Sequence, residues 1–173
     1  MIALVTGGSG SGKSAFAEKL VLSLTGESYI YLATMQNYGD EETSRRIARH
    51  RDMRADKGFV TVEQSMDLSK ADIPEGACML LECLPNLVAN EMFDGGSIDR
   101  IIPDLDALAD RCASLVVVTD NVSCDGMTYD ETTTEYLDLL AKCAAHIAAR
   151  AELVVEVVCG IPVSVKGAIP CGL

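Results

Sequence analysis

Ile2-Ala3-Leu4-Val5-Thr6-Gly7-Gly8-Ser9-Gly10-Ser11-Gly12-Lys13-Ser14 is the stretch on which the reading of this chain turns. The apolar run predicts a buried strand, and Gly7 to Ser14 fit a phosphate-binding loop, G-x-x-x-x-G-K-[ST], at every specified position. A strand that stops at a glycine-rich turn, with the helix-forming run Ala15 to Leu24 behind it, aims backbone N–H groups and a helix N-terminus at one point, where a phosphate is attracted. Glycines suit the loop because side chains would block the approach. Lys13 is expected to reach the β- and γ-phosphates, and the Ser14 hydroxyl to coordinate a Mg²⁺ bridging the same oxygens. An accidental Gly/Ser turn is the alternative, and the strand before and helix after speak against it.

Length and charge narrow the rest. A chain of 173 residues predicts a single domain, 1–173, large enough to bury a core without disulfides or structural metal. A net charge of −12 argues against a general role on nucleic acid or anionic membrane, so substrate phosphates must be held by local groups. No basic segment with an apolar core opens the chain and no apolar run approaches the length of a membrane span, so a cytoplasmic location is expected. The cysteines number seven, an odd count with no C-x-x-C pair, which disfavours zinc and disulfide frameworks.

The short apolar runs Ile2–Val5, Tyr29–Ala33, Met79–Leu81, Leu115–Thr119 and Leu153–Val158 predict buried strands, with Phe59–Glu63 as one more. Helices are predicted over Ser14–Leu24, Asp40–Arg54, Leu84–Phe93, Ile98–Cys112 and Glu131–Arg150. This alternation predicts an α/β fold of P-loop NTPase type: three layers around a mainly parallel central sheet. In such sheets ligands collect beyond the carboxyl ends of the strands, here the phosphate loop, Ala33-Thr34-Met35, Glu82-Cys83 and Thr119-Asp120-Asn121. Glu82 ends a strand in the manner of the acid that orients Mg²⁺ or water, its alternative being a merely solvated carboxylate.

Of the two histidines, His146 lies in an alanine-rich helical stretch and reads as a packed or partly exposed side chain. His50 ends a polar helical segment carrying Arg45, Arg46, Arg49, Arg51 and Arg54 in an otherwise acidic chain. Neighbouring cations favour the neutral, nucleophilic imidazole, and the guanidiniums can hold phosphate oxygens bidentately. A surface helix of alternating charges with an incidental histidine is the other reading of the same residues.

Beyond the loop, several blocks carry a specific likeness: Tyr31-Leu32-Ala33-Thr34, Asp40-Glu41-Glu42 leading to Arg46-Ile47-Ala48-Arg49-His50-Arg51, Thr61-Val62-Glu63, and Leu80-Leu81-Glu82-Cys83-Leu84. In this order, and nearly end to end, the chain resembles the bifunctional adenosylcobinamide kinase/adenosylcobinamide-phosphate guanylyltransferases of cobalamin synthesis. The resemblance implies phosphorylation of adenosylcobinamide by GTP or ATP, then transfer of GMP from GTP onto adenosylcobinamide phosphate through a guanylylated His50. It also implies a homotrimer with active sites near subunit contacts. Catalytic roles would fall to His50, Lys13 and Glu82. Nucleotide contacts would fall to Gly7, Gly8, Ser9, Gly10, Ser11, Gly12, Lys13 and Ser14, to Ala33, Thr34 and Met35, to Arg51, Asp52, Met53 and Arg54, and to Glu63 and Glu82. Mg²⁺ would sit on Ser14 and Glu82.

The chain departs from the family pattern at definite places. Gly10 stands where an arginine is usual in the loop, and Ala55 and Phe59 replace a proline and a tryptophan after the histidine. Thr119-Asp120-Asn121-Val122-Ser123 replaces Thr-Asn-Glu-Val-Gly, and the usual Asn-Gln pair is lost from Lys142-Cys143-Ala144-Ala145-His146. A small-molecule kinase without nucleotidyl transfer, and a nucleotide-binding module without turnover, are the alternative functions.

Overall fold

The computed structural model describes residues 1–36, 57–122 and 126–173. Among these, the strands β1 (Ile2–Thr6), β2 (Tyr29–Ala33), β3 (Val60–Glu63), β4 (Cys78–Leu81), β5 (Ser114–Val118), β6 (Leu153–Val158) and β7 (Ile161–Lys166) form one sheet in the order β3-β2-β4-β5-β1-β6-β7. All neighbours pair in parallel except β6 and β7. β4 and β5 are buried at every position, which is why they appear in the sequence as unbroken apolar runs rather than alternating ones.

The α-helices among the described residues are α1 (Lys13–Ser23), α2 (Leu84–Phe93), α3 (Ile101–Arg111) and α4 (Glu131–Arg150). Period-two alternation divides the strand side chains between two cores. Ala3, Val5, Leu80, Val116 and Val118 pack with Phe16, Ala17, Leu20 and Val21 of α1. Leu4, Met79, Leu81, Leu115 and Val117 pack on the opposite face with Leu84, Leu87 and Val88 of α2, Leu105 and Leu108 of α3, and Leu140, Cys143 and Ile147 of α4. The three expected layers are present. Phe59, where the family pattern has a tryptophan, is buried at the first core's edge and meets Tyr31 edge-on, ring centroids 5.9 Å apart.

Three elements differ from the sequence reading, two of them for local reasons. The helix expected over Ile98–Cys112 is broken into a 3-10 turn, Ile98–Arg100, and α3. Pro103 lacks an N–H and is tolerated only in a first helical turn, so the α-helix cannot begin at Ile98. A 3-10 turn at Leu68–Lys70 was not anticipated. Nor was β7, which returns antiparallel through the two-residue turn Cys159-Gly160, both residues at positive φ (51° and 82°), the geometry that tight hairpins require. Pro162 is accommodated because β7 lies at the edge of the sheet. The helix expected over Asp40–Arg54 lies outside the described residues.

Candidate nucleotide site

β1 ends at Thr6 and α1 begins at Lys13, so the loop between them is short and tightly determined. Gly12, the residue before the helix, has φ 93° and offers no side-chain cap, leaving the first N–H groups of α1 available to a ligand. At Gly7 a Cβ would lie 2.6 Å from the carbonyl oxygen of Val157, so any larger residue would push the loop off β6. The loop is braced by Ser11 N–H donating to the Gly8 carbonyl (3.1 Å) and by Gly160 N–H donating to the Ser11 carbonyl (2.8 Å). The β6–β7 turn thus supports the phosphate loop directly. Gly10, Ser11, Gly12, Lys13, Ser14 and Ala15 line a hollow of about 290 Å³.

A second cleft, about 300 Å³, lies beyond the carboxyl ends of β4 and β5. It brings together Lys13, Ser14, Met35, Glu82, Cys83 and Asp120, with Thr119 at its border. The Lys13 ammonium donates to the Gly8 carbonyl (3.2 Å) and is paired with the Asp120 carboxylate. Cys83 is a nucleophile by type, but burial pushes its thiol up to about 11, aided by the nearby Asp120 and Glu82 carboxylates, so it stays protonated near neutrality.

The other expected nucleotide residues are placed variously. Ala33 ends β2, and Thr34 is fully buried, its hydroxyl donating to the Cys83 carbonyl (2.9 Å) and tying the end of β2 to that of β4. Asn90 of α2 fixes the same corner by donating to the carbonyls of Thr34 (2.8 Å) and Ser65 (2.9 Å). Glu63 ends β3, separated from β5 by two intervening strands, and is not among the residues lining the cleft. His50, Arg51, Asp52, Met53 and Arg54 lie outside the described residues. His146 of α4 is not among the residues lining the cleft, and its Nε2 lies 2.8 Å from Asp106 of α3.

Asp120 is the residue that sequence reasoning passed over. The sequence marks its strand end as a place where a ligand collects but assigns the carboxylate no role. Only the sheet order shows why it matters: β5 is the immediate neighbour of β1, which brings Asp120 onto Lys13.

Ser14, Glu82 and Asp120 can contribute to a cation, while the described residues hold no preformed group of three or more His, Cys, Asp or Glu side chains that could do so alone. That donor set fits Mg²⁺ carried in on nucleotide phosphates, because Mg²⁺ usually takes one or two protein ligands and leaves the rest to phosphates and water. No helix among the described residues is long and apolar enough to cross a membrane.

Comparison with known proteins agrees with this geometry. Residues 3–165 match the family model described as cobinamide kinase / cobinamide phosphate guanyltransferase. The chain is 34% identical to the bifunctional adenosylcobalamin biosynthesis protein CobU of Escherichia coli strain K12, covering 96% of this chain and 100% of that one. It is 33% identical to the protein of the same name from Salmonella typhimurium, with 96% and 100% covered. Bifunctional adenosylcobalamin biosynthesis protein CobP of Pseudomonas aeruginosa is 31% identical, with 95% and 96% covered. A family match over nearly the whole chain, joined to a braced phosphate loop facing an acidic strand end, places this chain in the cobinamide kinase / cobinamide phosphate guanyltransferase family.

Proposed function

We propose that this chain phosphorylates adenosylcobinamide and then transfers GMP from GTP to adenosylcobinamide phosphate, giving adenosylcobinamide-GDP in cobalamin synthesis. The observation that carries the reading is the convergence of Lys13 and Ser14 with Glu82 in one cleft at the end of the sheet.

In the first step an acceptor hydroxyl oxygen bonds to the γ-phosphorus of GTP or ATP. The bond from that phosphorus to the β,γ-bridging oxygen breaks, the nucleoside diphosphate leaves and the hydroxyl proton is released. Such transfer needs positioning and charge neutralisation more than covalent help. The loop N–H groups hold the phosphates and Lys13 exchanges Asp120 for phosphate oxygens. Mg²⁺, held by Ser14 and Glu82, would neutralise charge on the β- and γ-oxygens.

In the second step a nitrogen of the His50 imidazole bonds to the α-phosphorus of GTP and pyrophosphate leaves. A phosphate oxygen of the cobinamide phosphate then bonds to that phosphorus, the P–N bond breaks and the imidazole is restored. A histidine nucleophile divides one difficult displacement into two with good leaving groups. The high pKa of Cys83 supports this assignment, because the thiol bordering the cleft is not ionised. Ala33, Thr34, Met35, Arg51, Asp52, Met53, Arg54 and Glu63 complete the nucleotide contacts, and the active protein is a cytoplasmic homotrimer of single-domain chains.

The test is intact-protein mass spectrometry after exposure to GTP and Mg²⁺. A GMP adduct that is stable in alkali, labile in acid and absent from His50→Ala is expected. A wild-type chain that never acquires the adduct rules out the covalent step, and phosphorylation of adenosylcobinamide that persists without it identifies a kinase alone.

A further inference from the structure

We propose that the hollow between α4 and the ends of β1 and β5 is the subsite for the small aliphatic arm that presents the acceptor hydroxyl; this rests on the kinase reading above. The hollow measures about 290 Å³. Side-chain alternation puts Thr6 on the same sheet face as Leu4, and Thr119 on that of Leu115 and Val117, so both threonines face α4. Opposite them α4 presents Ala141, Ala144, Ala145 and Ala148, spaced so as to share one side of a helix. Larger side chains at these four places would fill the space. Two of the alanines lie in the stretch where the family pattern carries its Asn-Gln pair.

A stripe of alanines alone would mean little, but a second observation points to a ligand. Thr119 is only 5% exposed, borders the hollow, and its Oγ1 has no hydrogen-bond partner. Buried hydroxyls are nearly always satisfied in native proteins, and this one, closed off from solvent beside the hollow, gains a partner if it turns toward a polar atom that enters. Its neighbour Asn121 is already committed, accepting from Thr6 Oγ1 (2.6 Å) and donating to Glu156 (3.1 Å). A ligand hydroxyl or amide entering the hollow therefore finds Thr119 as its open partner.

Three features select the occupant. Water takes about 30 Å³ in the liquid, so the hollow admits a fragment of roughly ten heavy atoms and excludes a macrocycle, which must remain outside. Among the described residues its walls are mainly aliphatic, with the Asp120 carboxylate and no lysine or arginine, so an uncharged alcohol suits them and a phosphate ester does not. Finally, Thr119 and Asp120 border both this hollow and the nucleotide cleft, so an arm lodged here presents its hydroxyl on the side of the terminal phosphate. Once phosphorylated, the arm is disfavoured by the same walls and by the Asp120 carboxylate.

The experiment uses the full chain with alanine methyl groups labelled for NMR. Adenosylcobinamide should shift the methyl resonances of Ala141, Ala144, Ala145 and Ala148, whereas adenosylcobinamide phosphate should leave them near their free positions. Ala144→Leu, which fills the hollow, should raise KM for adenosylcobinamide roughly tenfold or more while nucleotide Kd changes by less than about twofold. Thr119→Val, of nearly equal shape, should raise KM in the same direction. If the wild type phosphorylates adenosylcobinamide while these methyls stay still and KM is unchanged in both variants, the subsite is wrong and the kinase reading stands. A wild type that never phosphorylates adenosylcobinamide overturns both.

Discussion

The ammonium of Lys13, the cation that should meet the nucleotide, is paired with the carboxylate of Asp120 at the end of the neighbouring strand. An incoming triphosphate must displace that carboxylate and then tolerate its charge. Asp120→Asn should therefore tighten GTP binding, with Kd falling by roughly three- to tenfold, about 1 kcal/mol. Lys13→Ala should weaken binding by about tenfold or more. Isothermal titration at constant ionic strength reads both, and a Kd that rises in Asp120→Asn would show that the carboxylate helps to hold the metal-bound nucleotide.

Cys83 borders the cleft with its thiol pushed up to about 11, first by burial. At pH 8.5 iodoacetamide should modify it roughly a hundredfold more slowly than an ordinary exposed thiol. Exposed Cys159 and Cys171 are the internal comparison, and peptide mapping over time gives the rates. Alkylation of Cys83 as fast as of Cys171 would contradict the buried, charge-crowded setting.

Asp106 of α3 receives His146 at 2.8 Å and Arg150, which also reaches Asp110 at 2.6 Å, so four side chains lock α3 to α4. Burial alone would push the Asp106 carboxyl up, but the hydrogen bonds from His146 and Arg150 outweigh it and hold the group below its usual range. A depressed folded-state pKa contributes stability above the unfolded value, about 3.9, and loses it as pH falls through the folded one. Asp106→Asn should consequently lower Tm at pH 7, and the gap to wild type should close as pH drops below about 4. A gap independent of pH would assign the loss to packing instead.

Phe59 is 6% exposed and wedged edge-on against Tyr31 and Tyr29. Phe59→Ala should cost about 3 kcal/mol, a fall in Tm of roughly 6–12 °C. Calorimetry checks the figure. Phe59→Trp, the residue of the family pattern, should recover less than Phe59→Leu if the pocket has closed around the smaller ring.

Six of the seven strands among the described residues are legible in the chain because a parallel sheet covered on both faces needs apolar residues at successive positions, and Cys78–Leu81 and Ser114–Val118 have them. β7 was missed because Ile161-Pro162-Val163-Ser164-Val165-Lys166 alternates and contains a proline, features of an edge rather than a core strand. Its signal was the Cys159-Gly160 pair between two β-rich runs, a two-residue hairpin turn. In the site, Lys13, Ser14 and Glu82 could be named in advance because each belongs to a short motif. Thr119 and Asp120 are legible only as a strand end where ligands collect, since their individual roles come from which strand stands beside β1, and no local pattern encodes that neighbour.

That neighbour also fixes a distance. With β5 inserted between them, β1 and β4 stand two strand spacings apart, about 10 Å, so the glycine-rich loop after β1 and the carboxylate of Glu82 are separated by backbone ladders rather than by adjustable side chains. The gauge of the reaction chamber is thereby set by the sheet itself. Substitutions at its mouth can alter what enters, but widening it would require unzipping β5 from one of its neighbours.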